Sequence, residues 1–405
     1  MIFSRLRGGL FPRFVALFPL LFPLYLFRGV LAGVPVTFPE LILGFLFLYF
    51  LFDHEPFRWS EWRKLWPVGL FLVAGILGLV VVPREAFMVD GTEFPSMVKA
   101  LGIFKGWIVA PLLYFVMARS VFREKPSLIA WSLRALLGSG AVLSLLALQQ
   151  VMTGEFLTPD GRASGPFESA NYLALYLGPV LVYGIFALFE ARTRWERVLL
   201  SAATGLCALG LYFTASYAAF IAVFAALFLG LLLFLRREKP RYFYGALAVG
   251  AVGGLLLVLS QLGSDKFAQF LDFSVRSSSS VRIQVYTIAV SLLEQHPLLG
   301  IGLGQFEQQY QAVAVTTLGQ EPFEWNMLHP HNLFLATWLS MGALGLVALL
   351  ALFWKALPWL FEKDHQGRSL AALMLVVLIV HGFFDTPYFK NDLAFQFWLL
   401  LAVLL

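Results

Sequence analysis

The chain has 405 residues, of which 60% are hydrophobic, 16% aromatic and only 13% charged, with a mean hydropathy of +0.79. A soluble domain carries roughly 25% charged residues, so a water-soluble enzyme is excluded and an integral membrane protein is indicated. The net charge of +5 does not point to nucleic acid, because the basic residues fall in small groups between apolar stretches, as membrane topology places them.

Cut into stretches of roughly 20 apolar residues, the length that spans a bilayer core, the sequence predicts an all-α polytopic membrane protein of about twelve helices. They fall over 12–33, 36–52, 66–83, 101–118, 128–150, 169–189, 198–214, 216–235, 242–260, 332–354, 370–385 and 393–405. The first follows Arg5, Arg7 and Arg13 and has no small-residue cleavage site, so it is expected to remain as an anchor. Arg134, the one charge within 128–150, reads as a structural side chain that snorkels to the inner interface. The one cysteine, Cys207, lies in an apolar run and leaves no intrachain disulfide to form.

With the amino terminus inside, the inner segments carry Arg5, Arg7 and Arg13, then Arg58, Arg63 and Lys64, then Arg119, Arg123 and Lys125. Arg192, Arg194 and Arg197 follow, then Arg236, Arg237, Lys239 and Arg241, and last Lys355, Lys363 and Arg368. These are 19 of the 29 Lys and Arg residues, and the positive-inside rule then places both termini in the cytoplasm. The cations left outside are Arg28, Arg84, Lys99, Lys105, Arg162, Lys266, Arg276, Arg282 and Lys390.

The chain therefore divides into membrane helices over 1–260, an outer loop over 261–331 and further membrane helices over 332–405. A loop of about 70 residues is too long for a plain connector, and the active site is expected there. Its run Ser277 to Ser280 reads as a flexible turn. Val281, Val285, Ile288, Ala289 and Leu292 then recur at helical spacing, which predicts an amphipathic helix with Arg282 and Tyr286 one turn apart. His296-Pro297 ends that helix, and Gly300, Gly302 and Gly304 make a tight turn. The glycines follow a helix rather than a strand, which argues against a dinucleotide fingerprint.

His329-Pro330-His331-Asn332 opens directly onto the helix over 332–354. At a helix N-terminus the backbone N–H groups point outward and the local field is positive. That field disfavours an imidazolium, so His331 is expected to stay neutral and able to accept a proton. The alternative reading of the cluster is a helix cap in an interfacial loop. A zinc site is disfavoured, because His-x-His lacks the helical spacing of a zinc hydrolase and no cysteine is at hand. His381 and Asp385 stand one turn apart near the outer end of the helix over 370–385, where Asp385 would orient a partner or cap the bundle.

The order of these pieces resembles the O-antigen ligase and O-antigen polymerase superfamily. The matching segments are Arg282 on the amphipathic helix, His296-Pro297-Leu298-Leu299-Gly300-Ile301-Gly302-Leu303-Gly304-Gln305-Phe306, His329-Pro330-His331-Asn332-Leu333-Phe334-Leu335 and Gly342-Ala343-Leu344-Gly345. Upstream, Arg162-Ala163-Ser164-Gly165-Pro166-Phe167-Glu168-Ser169-Ala170-Asn171-Tyr172-Leu173-Ala174 is similar as well. The resemblance implies a glycosyltransferase on the outer face of the bacterial cytoplasmic membrane that needs no metal, nucleotide sugar or other cofactor. Its donor would be a glycan on undecaprenyl diphosphate. The acceptor would be lipid A core for a ligase, another lipid-linked repeat for a polymerase, or a protein hydroxyl for an O-oligosaccharyltransferase.

That chemistry suits the residues. A diphosphate leaving group needs fixed cations, and an arginine fork binds phosphate oxygens without losing its proton. Arg282 is the first candidate for this and His331 for the base that takes the acceptor's proton. Arg162, Arg276, His329, Asn332, Tyr286 and Asn171 are the candidates for holding the substrates. Many members carry an arginine after the serine of a Thr-x-Ser-Arg turn, whereas this chain reads Thr214-Ala215-Ser216-Tyr217, which leaves Arg162 or Arg276 to supply the second cation. A solute transporter is the competing class. It would carry ionisable groups and paired repeats near the bilayer midplane, whereas here the polar residues concentrate at the outer rim.

Overall fold

A computed structural model describes residues 10–31, 34–53, 63–83, 86–89, 92–158, 160–261, 276–362 and 367–405. Arg5, Arg7, Arg58, Arg84, Lys266 and Lys363 lie outside these residues. Among the described residues, seven helical segments are long and apolar enough to cross a membrane. They are Arg63–Val80, Ser96–Glu124 (α4), Leu128–Thr153 (α5), Ala170–Glu190 (α6), Arg194–Phe213 (α7), Tyr217–Glu238 (α8) and Leu333–Leu360. The first contains α3, Trp66–Val80, and the last contains α12, Leu333–Ala356. Shorter apolar helices are α1 (Phe11–Leu17), α2 (Phe38–Asp53), α13 (Arg368–His381) and α14 (Asn391–Leu404). Pro240–Gln261 forms α9. The chain is a multi-pass helical membrane protein.

The all-α expectation needs amending in two places. Arg28–Leu31 (β1) pairs antiparallel with Val34–Thr37 (β2), and Ala86–Val89 (β3) with Thr92–Pro95 (β4). The helix expected over 12–33 is also interrupted. α1 gives way to a 3-10 segment over Phe18–Leu26 that contains Pro19 and Pro23, residues that cannot donate the next helical hydrogen bond.

α6 is the axis of the bundle. Nearly every side chain from Tyr172 to Gly184 is buried, and α5, α7, α8 and α13 pack around it, with α14 closing one side. Small residues permit close approach, as a Cβ on Gly210 of α7 would lie 2.5 Å from Ser144 Oγ of α5. α14 is buried along its whole length against α4 and α13.

The segment over 276–331 carries two helices, Ser278–Gln295 (α10) and Phe306–Leu318 (α11), which share a small core of Val285, Ile288, Leu292, Phe306 and Tyr310. The serine run is not a flexible turn. Ser277 is the N-cap of α10, and its side chain and that of Ser280 form a reciprocal capping box. α11 is a second amphipathic helix, which buries Phe306, Tyr310 and Ala314 at helical spacing.

Two of the glycine motifs prove to be halves of one joint. α12 is broken at Gly342, whose φ of 70° and ψ of −177° are not helical. Into that break the turn at 296–304 inserts its backbone: Ala343 N–H donates to Leu298 O at 2.9 Å, and Ile301 N–H to Leu339 O at 2.7 Å. Leu303 N–H donates to Gly78 O of α3 at 3.0 Å. A Cβ on Gly300 or on Gly342 would meet a carbonyl oxygen at 2.3 Å, so only glycine fits either half. This joint fixes α10 and α11 on the end of the bundle.

Candidate active site

Three segments converge where α10, the N-terminus of α12 and the turn after α13 meet. Asn332 is the N-cap of α12, its side chain accepting from the N–H groups of Phe334 and Leu335 at 3.0 Å each. His331 precedes it with φ 46°, one of two non-glycine residues with positive φ among those described. Left-handed backbone costs such a residue on the order of 1 kcal/mol, and contacts around it hold it there. The Tyr286 hydroxyl reaches its carbonyl at 3.0 Å and the Phe383 carbonyl at 2.8 Å.

The helix expected over 370–385 stops at His381, and Asp385 lies in the turn beyond it, with its N–H donating to His381 O at 3.0 Å. Pro387, which follows at once, cannot continue a helix. The turn delivers Asp385 to His331, with Nδ1 to Oδ1 at 3.3 Å, and the carboxylate also accepts from Thr386 N–H at 2.8 Å. Burial pushes the Asp385 carboxyl up. The charge and hydrogen bond of His331, with His329 and His381 farther off, outweigh it and hold the group well below the usual carboxylate range. An ionised carboxylate only accepts, so Nδ1 of His331 carries a hydrogen, and in the neutral form of that ring Nε2 is the nitrogen with the free lone pair.

His329 packs its ring edge-on against His331, centroids 4.8 Å apart, and its Nε2 hydrogen-bonds the Tyr172 hydroxyl at 2.9 Å. Burial first, and then the neighbouring His331, pushes its pKa down from 6.5 to about 4, so this ring is neutral at pH 7. Its Nδ1 has no hydrogen-bond partner among the described residues.

His329, His331 and Asp385 line a cavity of about 370 Å³ together with Glu168, Ser169, Asn171, Tyr172, Glu324, Asn326, Met327 and Leu328. That is the low end of the roughly 300–1,000 Å³ of small-molecule sites, a size for a reacting group rather than a whole glycan. The ligand atoms of His329, His331 and Asp385 lie within 4.8 Å of one another. Ligands on a tetrahedral zinc with bonds of about 2.1 Å stand about 3.4 Å apart. The three would have to draw together to hold such an ion, and His331 and Asp385 already satisfy each other.

The remaining candidates reach this cavity at one remove. Arg282 donates from Nε to Phe384 O at 3.2 Å, beside Asp385, and from Nη1 to Ser278 O at 3.3 Å, without forming part of the cavity wall. Asn332 Nδ2 donates to Phe383 O at 3.3 Å. Arg162 donates to Asn171 Oδ1 at 3.2 Å and to Thr214 O at 3.4 Å, and pairs with Asp160 at 2.5 Å. It thus stands at the turn that holds Tyr217 in place of an arginine. Burial raises the Asp160 carboxyl, but hydrogen bonds from Thr158 and Arg162 lower it further. Arg276 is mostly exposed and pairs with Glu324 at 2.6 Å.

Sequence reasoning did not foresee Tyr172, Glu168 or Lys390 here, and placed Asp385 on a helix. Arg134 lies at the other end of α5, paired with Glu196 at the start of α7, in keeping with a structural role.

Residues 202–350 match the family model described as O-antigen ligase. The stretch contains Arg282, His329, His331, Asn332 and the glycine joint, while Tyr172, Asp385 and Lys390 fall outside it. No curated protein matches the chain significantly.

Proposed function

We propose that this chain, which the O-antigen ligase family model matches over residues 202–350, transfers a glycan from a polyprenyl diphosphate carrier to an acceptor hydroxyl at the outer face of the cytoplasmic membrane. The observation that carries the reading is the His331–Asp385 pair, an imidazole whose Nδ1 faces a buried carboxylate at the wall of a polar cavity. Arg282 anchors to the same turn.

In this reading the acceptor oxygen attacks the anomeric carbon while its proton passes to Nε2 of His331. The bond from that carbon to the diphosphate oxygen breaks, and its electron pair leaves with the diphosphate, whose growing charge Arg282 stabilises. Asp385 holds the imidazole in the productive tautomer and stabilises it once it is protonated. Arg162 and Asn171 hold substrate on the far side of the cavity, and His329, Tyr286 and Asn332 shape the approach. A single displacement inverts the anomeric configuration, with no metal in the step. The acceptor is lipid A core, which makes the protein an O-antigen ligase. A polymerase acting between lipid-linked repeats is the second reading.

The test uses His331→Ala and Arg282→Ala in cells, with membrane insertion confirmed and surface polysaccharide resolved on gels. Loss of surface glycan in both supports the site, and unchanged glycan in both removes it. Full-length chains accumulating on the carrier mark a ligase, single repeats a polymerase.

A further inference from the structure

Lys390 is a cation to which the reaction above gives no task. It precedes α14 as its N-cap residue, and its Nζ stands 3.6 Å from the centroid of the Tyr172 ring and 5.5 Å from that of Phe167. Tyr172 is a wall of the cavity and hydrogen-bonds His329, which packs on His331. An aromatic face orients an ammonium but leaves its charge in place, whereas a carboxylate neutralises it. No carboxylate among the described residues pairs with Lys390. Glu168 and Asp392 act on it only from beyond ion-pair distance, and burial lowers its pKa. Arg162 and Arg276 each have a carboxylate, at 2.5 and 2.6 Å. Near the cavity, Arg282 and Lys390, with Arg28 over the Tyr25 ring at 5.8 Å, are therefore the cations without a paired carboxylate among the described residues.

A departing diphosphate gathers more negative charge than one guanidinium balances. We propose that Lys390 is a second binding cation for the donor's diphosphate, held against Tyr172 and acting together with Arg282. The assignment rests on the transferase reading and names the side chain that supplies the missing positive charge.

The test measures binding of undecaprenyl diphosphate, with undecaprenyl monophosphate alongside, to the full-length protein in nanodiscs. Lys390→Gln is expected to weaken diphosphate binding about tenfold, the size of one charge-assisted contact, and monophosphate binding less. Lys390→Arg keeps diphosphate affinity within about threefold of the parent, and both variants melt as the parent does. Diphosphate binding unchanged in Lys390→Gln overturns the assignment. So does an equal loss in Lys390→Gln and Lys390→Arg, which marks a packing role. If Arg282→Gln loses affinity while Lys390→Gln does not, the transferase reading stands without Lys390. Failure of the parent to bind the carrier defeats both.

Discussion

His331 and Asp385 are 54 positions apart in the chain, yet Nδ1 of one lies 3.3 Å from Oδ1 of the other. The contact ties the start of α12 to the turn after α13. It sets which imidazole nitrogen is basic, and the first prediction follows from that role. Asp385→Asn retains the shape but loses the charge that selects the tautomer. In a purified transfer assay kcat is expected to fall about 10²-fold or more with KM for the donor little changed, because general-base assistance is worth about 10²- to 10⁴-fold. A fall in KM affinity with kcat preserved would instead make Asp385 a substrate-binding group.

His329 predicts a pH effect on stability. Burial holds its folded pKa near 4 against 6.5 when unfolded, so between those values the unfolded chain takes up a proton that the folded one refuses. Stability is therefore complete above pH 6.5, declines as pH falls toward 4 and levels off below. His329→Gln should make that decline in melting temperature shallower. Any decline from Asp385, whose folded pKa is depressed, appears only at lower pH, as its carboxylate is finally protonated.

Tyr286→Phe removes the hydroxyl that reaches the carbonyls of His331 and Phe383. With the left-handed backbone of His331 less restrained, the variant is expected to lose about 1 kcal/mol of stability and several-fold in kcat. A variant that melts lower but turns over normally would show that the clamp is not needed for catalysis.

Gly342→Ala tests the joint. Its Cβ would lie 2.3 Å from Leu298 O at a residue with φ 70°, so about 3 kcal/mol of destabilisation is expected from strain and clash. Heating detergent-solubilised protein and following the monodisperse fraction by size exclusion measures it. The control, Gly69→Ala, has nothing within 4 Å of the added carbon and should behave as the parent.

Arg162 and Arg276 should separate in the same transfer assay. Arg276 is 66% exposed and bound to a half-buried Glu324, an arrangement of small energetic weight, so Arg276→Ala is expected to change turnover less than about threefold. Arg162 touches Asn171 of the cavity wall, and its alanine variant should raise donor KM about tenfold. Equal effects would show that the two cations share one role.

The amino-acid order alone determined that the protein is a helical membrane protein, where most of its spans run and which segments between them carry the polar residues. Those properties follow from local hydropathy, charge and turn residues, each read within about twenty positions. The glycine turn, and His331 and Arg282 as candidates, were legible for the same reason. The first hairpin and the early end of α13 were not, since averaging over apolar windows hides a short strand or an early helix end within a hydrophobic run.

Only the tertiary structure decided that Gly300 and Gly342 are one joint, that Asp385 serves His331 and that Lys390 lies on Tyr172. These pairings join helices distant in sequence, and the packing of α6, α12, α13 and α14 sets them. A hydropathy pattern records how much of a helix faces away from water, but not which neighbour it meets. The assembly of the site therefore rests on bundle geometry, and its components on the chain.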